Sequence, residues 1–92
     1  MTSERELQTY LVNGLRKNGF WVVTTSSNRR ASSSGVPDVL CYDLLQKKHY
    51  MLEIKGPKTP VTEEQERAIR LGAVILVRDK ETADKIIRRE AS

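Results

Sequence analysis

Residues 36–55 read VPDVLCYDLLQKKHYMLEIK, and this stretch decides the fold. Val36 to Leu45 and His49 to Lys55 are dominated by aliphatic, β-branched and aromatic residues. The polar Gln46-Lys47-Lys48 between them allows only a tight reversal. The segment therefore predicts an antiparallel hairpin. Glu53 and Lys55 stand two apart on its second strand, so their side chains share a face, while Ile54 points the opposite way into the core. A carboxylate and an ammonium are thus side by side at a strand end. Asp38 follows Pro37 near the start of the neighbouring strand.

Upstream, Phe20 to Thr25 is aromatic and β-branched and reads as a strand. Ser26 to Gly35 holds five serines, Asn28, Arg29, Arg30 and a glycine, the composition of a polar loop. Before it, Leu7, Tyr10, Leu11 and Leu15 recur at helical spacing and predict a helix over Ser3 to Asn18. Ser3 and Glu6 form a capping box, and Asn18-Gly19 supplies the stop.

Downstream, Gly56 to Val61 carries two prolines and ends the hairpin's second strand. Thr62 opens a helix with Glu63 and Glu64 in its first turn, and Gly72 closes it. Ala73 to Val77 is a short apolar run, the pattern expected at a sheet centre. Asp79 caps a last helix whose Ala83, Ile86 and Ile87 face inward, and Arg88-Arg89-Glu90 is expected to fray. The order is helix, three strands, helix, strand, helix. This defines an α/β chain, with a mixed sheet flanked by helices, in a single domain over residues 1–92.

Bulk properties narrow the partners. The core must come mainly from Leu, Ile and Val, since 38% of residues are hydrophobic and 5% aromatic. A partner subunit would help so small a domain bury surface. Sixteen basic residues against twelve acidic give +4, which favours an anionic partner, nucleic acid ahead of a membrane surface. Ordinary solubility accounts for that charge equally well. Cys41 is the single cysteine and lies in an apolar run, so it reads as a buried small hydrophobe. No disulfide, signal peptide or membrane span is expected, which fits a reducing, cytoplasmic setting.

Asp38, Glu53 and Lys55 form the set that chemistry can use. Mg²⁺ and Mn²⁺ take hard oxygen ligands, often one or two carboxylates completed by substrate oxygens. Asp38 and Glu53 supply the carboxylates, and the backbone carbonyl of Ile54 offers a third oxygen. Lys55 is placed to orient an attacking water or to neutralise charge developing at phosphorus. Taken singly, Glu53 and Lys55 could be a charged strand face and Asp38 a turn residue after proline. Their conjunction in a basic domain is harder to dismiss.

Gly35-Val36-Pro37-Asp38 and Glu53-Ile54-Lys55, with Gln65 beyond, resemble the PD-(D/E)XK nuclease superfamily. Within it they look closest to VRR-NUC, the virus-type replication and repair nucleases. The likeness spans from the segment Glu4 to Gln8 to the strand ending near Val77. The resemblance implies a restriction-endonuclease-like αβββαβ core, a Mg²⁺ or Mn²⁺ cofactor, metal ligation by Asp38 and Glu53, and a water-activating role for Lys55. It also implies a glutamate from the first helix. Glu4 falls on the stripe of Leu7, Leu11 and Leu15, whereas Glu6 lies off it and has a capping role, so Glu4 is the expected ligand. A favourable first-turn acid is its other reading. Gln65 has two roles open: a capping box with Thr62, or a contact to the site.

Arg29, Arg30 and Ser34 in the polar loop, and Lys58 beyond Glu-x-Lys, are the candidates for phosphate contact. Lys47, Lys48 and His49 read as a solvated turn, and His49 is assigned no site. Recognition is expected through the DNA backbone, with marked salt dependence. Standalone proteins of this kind are similar to Holliday-junction resolvases acting as homodimers, so a DNA repair endonuclease for branched DNA is the leading expectation. A non-catalytic nucleic-acid-binding module on the same scaffold is the alternative, and a small interaction protein a third.

Overall fold

The computed structural model describes residues 3–25 and 36–90. The elements follow the expected order: α1 (Glu4–Lys17), β1 (Phe20–Thr24), β2 (Val39–Asp43), β3 (Lys48–Ile54), α2 (Glu63–Arg70), β4 (Ile75–Val77) and α3 (Lys80–Ile87). The chain is α/β, with a four-stranded mixed sheet and the αβββαβ order.

Helix α1 begins where Ser3 accepts from the Glu6 amide while the Glu6 carboxylate accepts from the Ser3 amide. That reciprocal cap satisfies two amides that the first helical turn leaves unpaired. Leu7, Leu11, Val12 and Leu15 then turn into the core, each contributing about 2 kcal/mol by burial. Tyr10, expected in that stripe, sits at its margin, with its hydroxyl donating to Asp84 of α3 at 2.6 Å. Gly19, at φ 85°, makes the turn into β1 that a side chain would strain.

The sheet order is β1-β2-β3-β4, antiparallel across the first three strands and parallel between β3 and β4. The main departures from expectation are in β2 and β4. The β2 strand is shorter than Val36–Leu45, because the Asp43 carboxylate accepts from the amides of Leu45 and Gln46 at 2.9 and 3.1 Å. This pulls Leu44 to Lys47 out of the ladder and into the turn. The apolar strand β4 lies at an edge rather than at the centre. Its runs of apolar side chains are explained by half-burial of Ile75 and Leu76 and full burial of Val77, not by strands on both sides.

Alternation sends Phe20, Val22, Val39, Cys41, Leu52 and Ile54 to one face, where they join α1 and Ala83 and Ile86 of α3 in a single core. The opposite face carries Trp21, Val23, Leu40, Tyr42, His49, Met51, Glu53 and Lys55, as the period of two requires. Helix α3 starts at Asp79, whose carboxylate accepts from the Thr82 amide. The segment after it does not fray. Arg89 reaches back to both Asp43 oxygens at 3.0 and 2.9 Å, and its guanidinium lies 4.6 Å from the Phe20 ring centre. No helix among the described residues is long and apolar enough to cross a membrane.

Candidate active site

Asp38 and Glu53 converge at one end of the sheet. Asp38 lies one residue ahead of β2, held by the Thr25 amide donating to its carbonyl at 2.9 Å. Its Oδ2 accepts from the Ile54 amide at 2.9 Å, which brings the carboxylate across to β3. Glu53, next to that amide, is only 3% exposed. Its Oε2 accepts from Gln65 Nε2 at 3.0 Å and lies 3.7 Å from Lys55 Nζ. Parity along β3 puts Glu53 and Lys55 on one face, as the sequence required.

The electrostatics of this pair are unresolved by the protein itself. Burial pushes the Glu53 carboxyl up, and the charge and hydrogen bonding of neighbouring Asp38 push it further, to about 7. Lys55 opposes this without reversing it. Glu53 is therefore partly protonated near neutral pH. A cation could take that proton's place, which is how hard divalent ions bind paired carboxylates.

Gln65 does both jobs that the sequence left open. Its amide and side chain complete the capping box with Thr62, while its Nε2 donates to Glu53. The helix cap thereby sets the rotamer that reaches the site.

Of the three acids expected around a cation, two are brought together. Among the described residues no group of three or more His, Cys, Asp and Glu side chains is arranged to hold a metal ion. Glu4 does point to the sheet end, but its Oε1 accepts from the Gly56 amide at 3.2 Å. On the other side of Gly56, Arg78 donates to its carbonyl at 2.6 Å. Together with the Lys55 amide donating to Val77 at 3.0 Å, these contacts fix the strand end that bears Lys55. Arg78 was not anticipated, since it follows β4 and its partner is 22 residues away. Lys58 is exposed in the turn beyond, and Arg29, Arg30 and Ser34 lie outside the described residues. Ile54 has its side chain fully buried, consistent with its inward parity.

Beside α1, a groove of about 550 Å³ is lined by Glu4, Arg5, Gln8, Thr9, Val12, Asn13 and Thr24. Its lining includes none of Asp38, Glu53 and Lys55, so the paired acids rather than this groove mark the candidate site.

Compared with known proteins, the chain matches no family model, no curated protein and no solved structure. The functional reading therefore rests on the site's own geometry and on the motif resemblance.

Proposed function

We propose that this chain is a metal-dependent endonuclease that hydrolyses phosphodiester bonds in DNA. One observation carries the reading: Glu53 is buried beside Asp38 with its carboxyl raised to about 7, and Lys55 shares its face. A buried acid left undercompensated beside a second, half-buried one is a costly arrangement, and such costs concentrate where a ligand relieves them.

Asp38 and Glu53, with the Ile54 carbonyl, are the groups that would hold one Mg²⁺ or Mn²⁺. When bound, such an ion polarises the phosphodiester and lowers the pKa of water. Lys55 contributes its ammonium to orient the attacking water and to offset charge developing on the phosphoryl oxygens. Gln65 holds Glu53 in place from α2, while Glu4 and Arg78 clamp Gly56 and so fix the backbone from which Lys55 projects. Lys58, with Arg29, Arg30 and Ser34 of the polar loop, supplies phosphate contacts. The resemblance to VRR-NUC extends the proposal to branched DNA, Holliday junctions in particular, cut by a homodimer with two sites.

The test is a panel of labelled junctions, flaps, forks and linear duplexes incubated with Mg²⁺ or Mn²⁺. Metal-dependent scission of a branched substrate is expected, and light scattering should report a dimer. Lys55→Ala should bind DNA and not cut it. Cleavage by Lys55→Ala at the wild-type rate would end this assignment. DNA binding with no scission by the wild type, and no heat of Mn²⁺ binding, would leave a nucleic-acid-binding module.

A further inference from the structure

The sheet face that carries Glu53 and Lys55 continues along β3 into a row of aromatic rings. Trp21 pairs directly with Tyr42, and Tyr42 with His49, so one residue from each of three strands stands in line across the sheet. The Tyr42 and His49 ring centres are 4.5 Å apart. Trp21 is 61% exposed, a poor position for the largest apolar side chain unless something covers it. Helix α2 meets this face at the Glu53 end, through Gln65.

Charge argues for the kind of partner. The turn beside the row bears exposed Lys47, while Lys48, paired with Asp43 at the start of β3, has the parity of the other face. Asp43, the acid of that turn, is buried on the other face and neutralised by Arg89. A lysine beside an accessible row of rings, in a chain of net charge +4, suits a polyanion that also presents flat π faces, which is a single strand of nucleic acid. Distance argues the same way: His49 and Glu53 are four residues apart on one strand face, about 13 Å. A strand stacked on the rings would cross the sheet and reach β3 at His49, from which the acid pair is a few nucleotides away along β3.

We propose that Trp21, Tyr42 and His49 form a stacking platform for unpaired bases, placed to lead a single strand toward Glu53 and Lys55. The platform gives the proposed nuclease a preference for substrates with unpaired nucleotides beside the cut. That last clause rests on the nuclease reading; the platform itself does not.

Trp21 is the chain's one tryptophan, so its emission reports the row directly. The full chain, in EDTA at low salt, is titrated with a single-stranded oligothymidylate and with a duplex of equal length. The single strand should quench Trp21 emission to saturation, and the duplex should do so far less. Tyr42→Ala should weaken single-strand affinity about tenfold. By anisotropy of a labelled oligothymidylate, Trp21→Ala should do likewise, whereas Trp21→Phe, which keeps a ring, should retain most of the affinity. Melting by circular dichroism confirms that each variant is folded. Binding without quenching, together with unchanged affinity in Tyr42→Ala, overturns the platform. So does emission that changes with protein concentration alone through a dimer that Tyr42→Ala dissolves, since a second copy then owns the face. Because no scission is read, an inactive wild type leaves these results standing. A negative result for the platform, equally, does not count against Lys55-dependent cleavage, which the junction panel tests separately.

Discussion

Asp43 on β2 and Glu53 on β3 are both buried, at 0% and 3% exposure, yet the protein treats them in opposite ways. Burial would push Asp43 up, but the Arg89 guanidinium on both its oxygens and the amides of Gln46 and Leu45 hold it below the usual carboxylate range. Both of its oxygens find a donor. Glu53 receives one amide donor from Gln65 and an ammonium at 3.7 Å, and it faces a second acid besides. Its carboxyl rises instead of falling. A buried acid with a guanidinium on both oxygens is a fastener, whereas one whose single ammonium is set against a second acid is, on the function proposed above, an open valence for a cation. Depth alone does not distinguish structure from function here; compensation does.

The largest effect separating the two centres is on cleavage. If the chain is the nuclease proposed above, Lys55→Ala should reduce scission of the branched substrate by about 10²–10³-fold, as loss of one charge-stabilising group does. Asp43→Asn should leave the rate per folded molecule near wild type. Single-turnover assays at matched folded concentration make the comparison, and equal losses in both variants would erase the distinction.

Stability should show the reverse pattern. Asp43→Asn strands the Arg89 guanidinium, so urea denaturation should report a loss of about 3 kcal/mol. Glu53→Gln removes an unfavourable charge, so in EDTA at pH 8 it should be neutral or stabilising. A comparable loss in Glu53→Gln would mean that its carboxylate is as well compensated as that of Asp43.

Much of this was legible in the chain, and the reason is range. Ser3 with Glu6, Thr62 with Gln65 and Asp79 with Thr82 are caps closed within three residues, so local spacing suffices to see them. The shared face of Glu53 and Lys55 follows from parity on one strand. What escaped was set by tertiary approach. Arg89 meets Asp43 across 46 residues, and Glu4 meets Gly56 across 52. Strand β4 was placed at the centre on apolar content, which cannot report how many neighbours a strand has. One signal for the fastener was present: Val39, Cys41 and Asp43 share core parity. An acid at an inward position calls for a basic partner, and Arg89 at the end of an amphipathic helix was a candidate.

Acidity gives a smaller but signed contrast. Glu53 has a folded pKa of about 7 against an ordinary 4.5, so its contribution is fully present below pH 4.5 and is lost as pH rises through 7. Without metal, thermal melts should show stability falling between about pH 5 and pH 8 by roughly 2 kcal/mol. Glu53→Gln should flatten that slope. Asp43 runs the other way, its contribution present above its ordinary 3.8 and lost as pH falls below it, a loss that Asp43→Asn should remove.

The finest contrast lies within Gln65, which serves a helix cap and the acid pair at once. Gln65→Ala removes both contacts and should cost about 1 kcal/mol, the usual penalty for a lost cap. Gln65→Glu keeps the capping geometry, because a carboxylate at that helical position accepts from the Thr62 amide just as the carboxamide oxygen does. It replaces the donor to Glu53 with a third acid, however. In EDTA at pH 8 it should lose about as much stability as Gln65→Ala, for an electrostatic reason. Mn²⁺ should then separate the two variants, raising the melting temperature of Gln65→Glu by more than that of wild type and of Gln65→Ala by less. If Mn²⁺ shifts all three equally, the ion is not binding beside Glu53, and the open valence assigned to this end of the sheet does not exist.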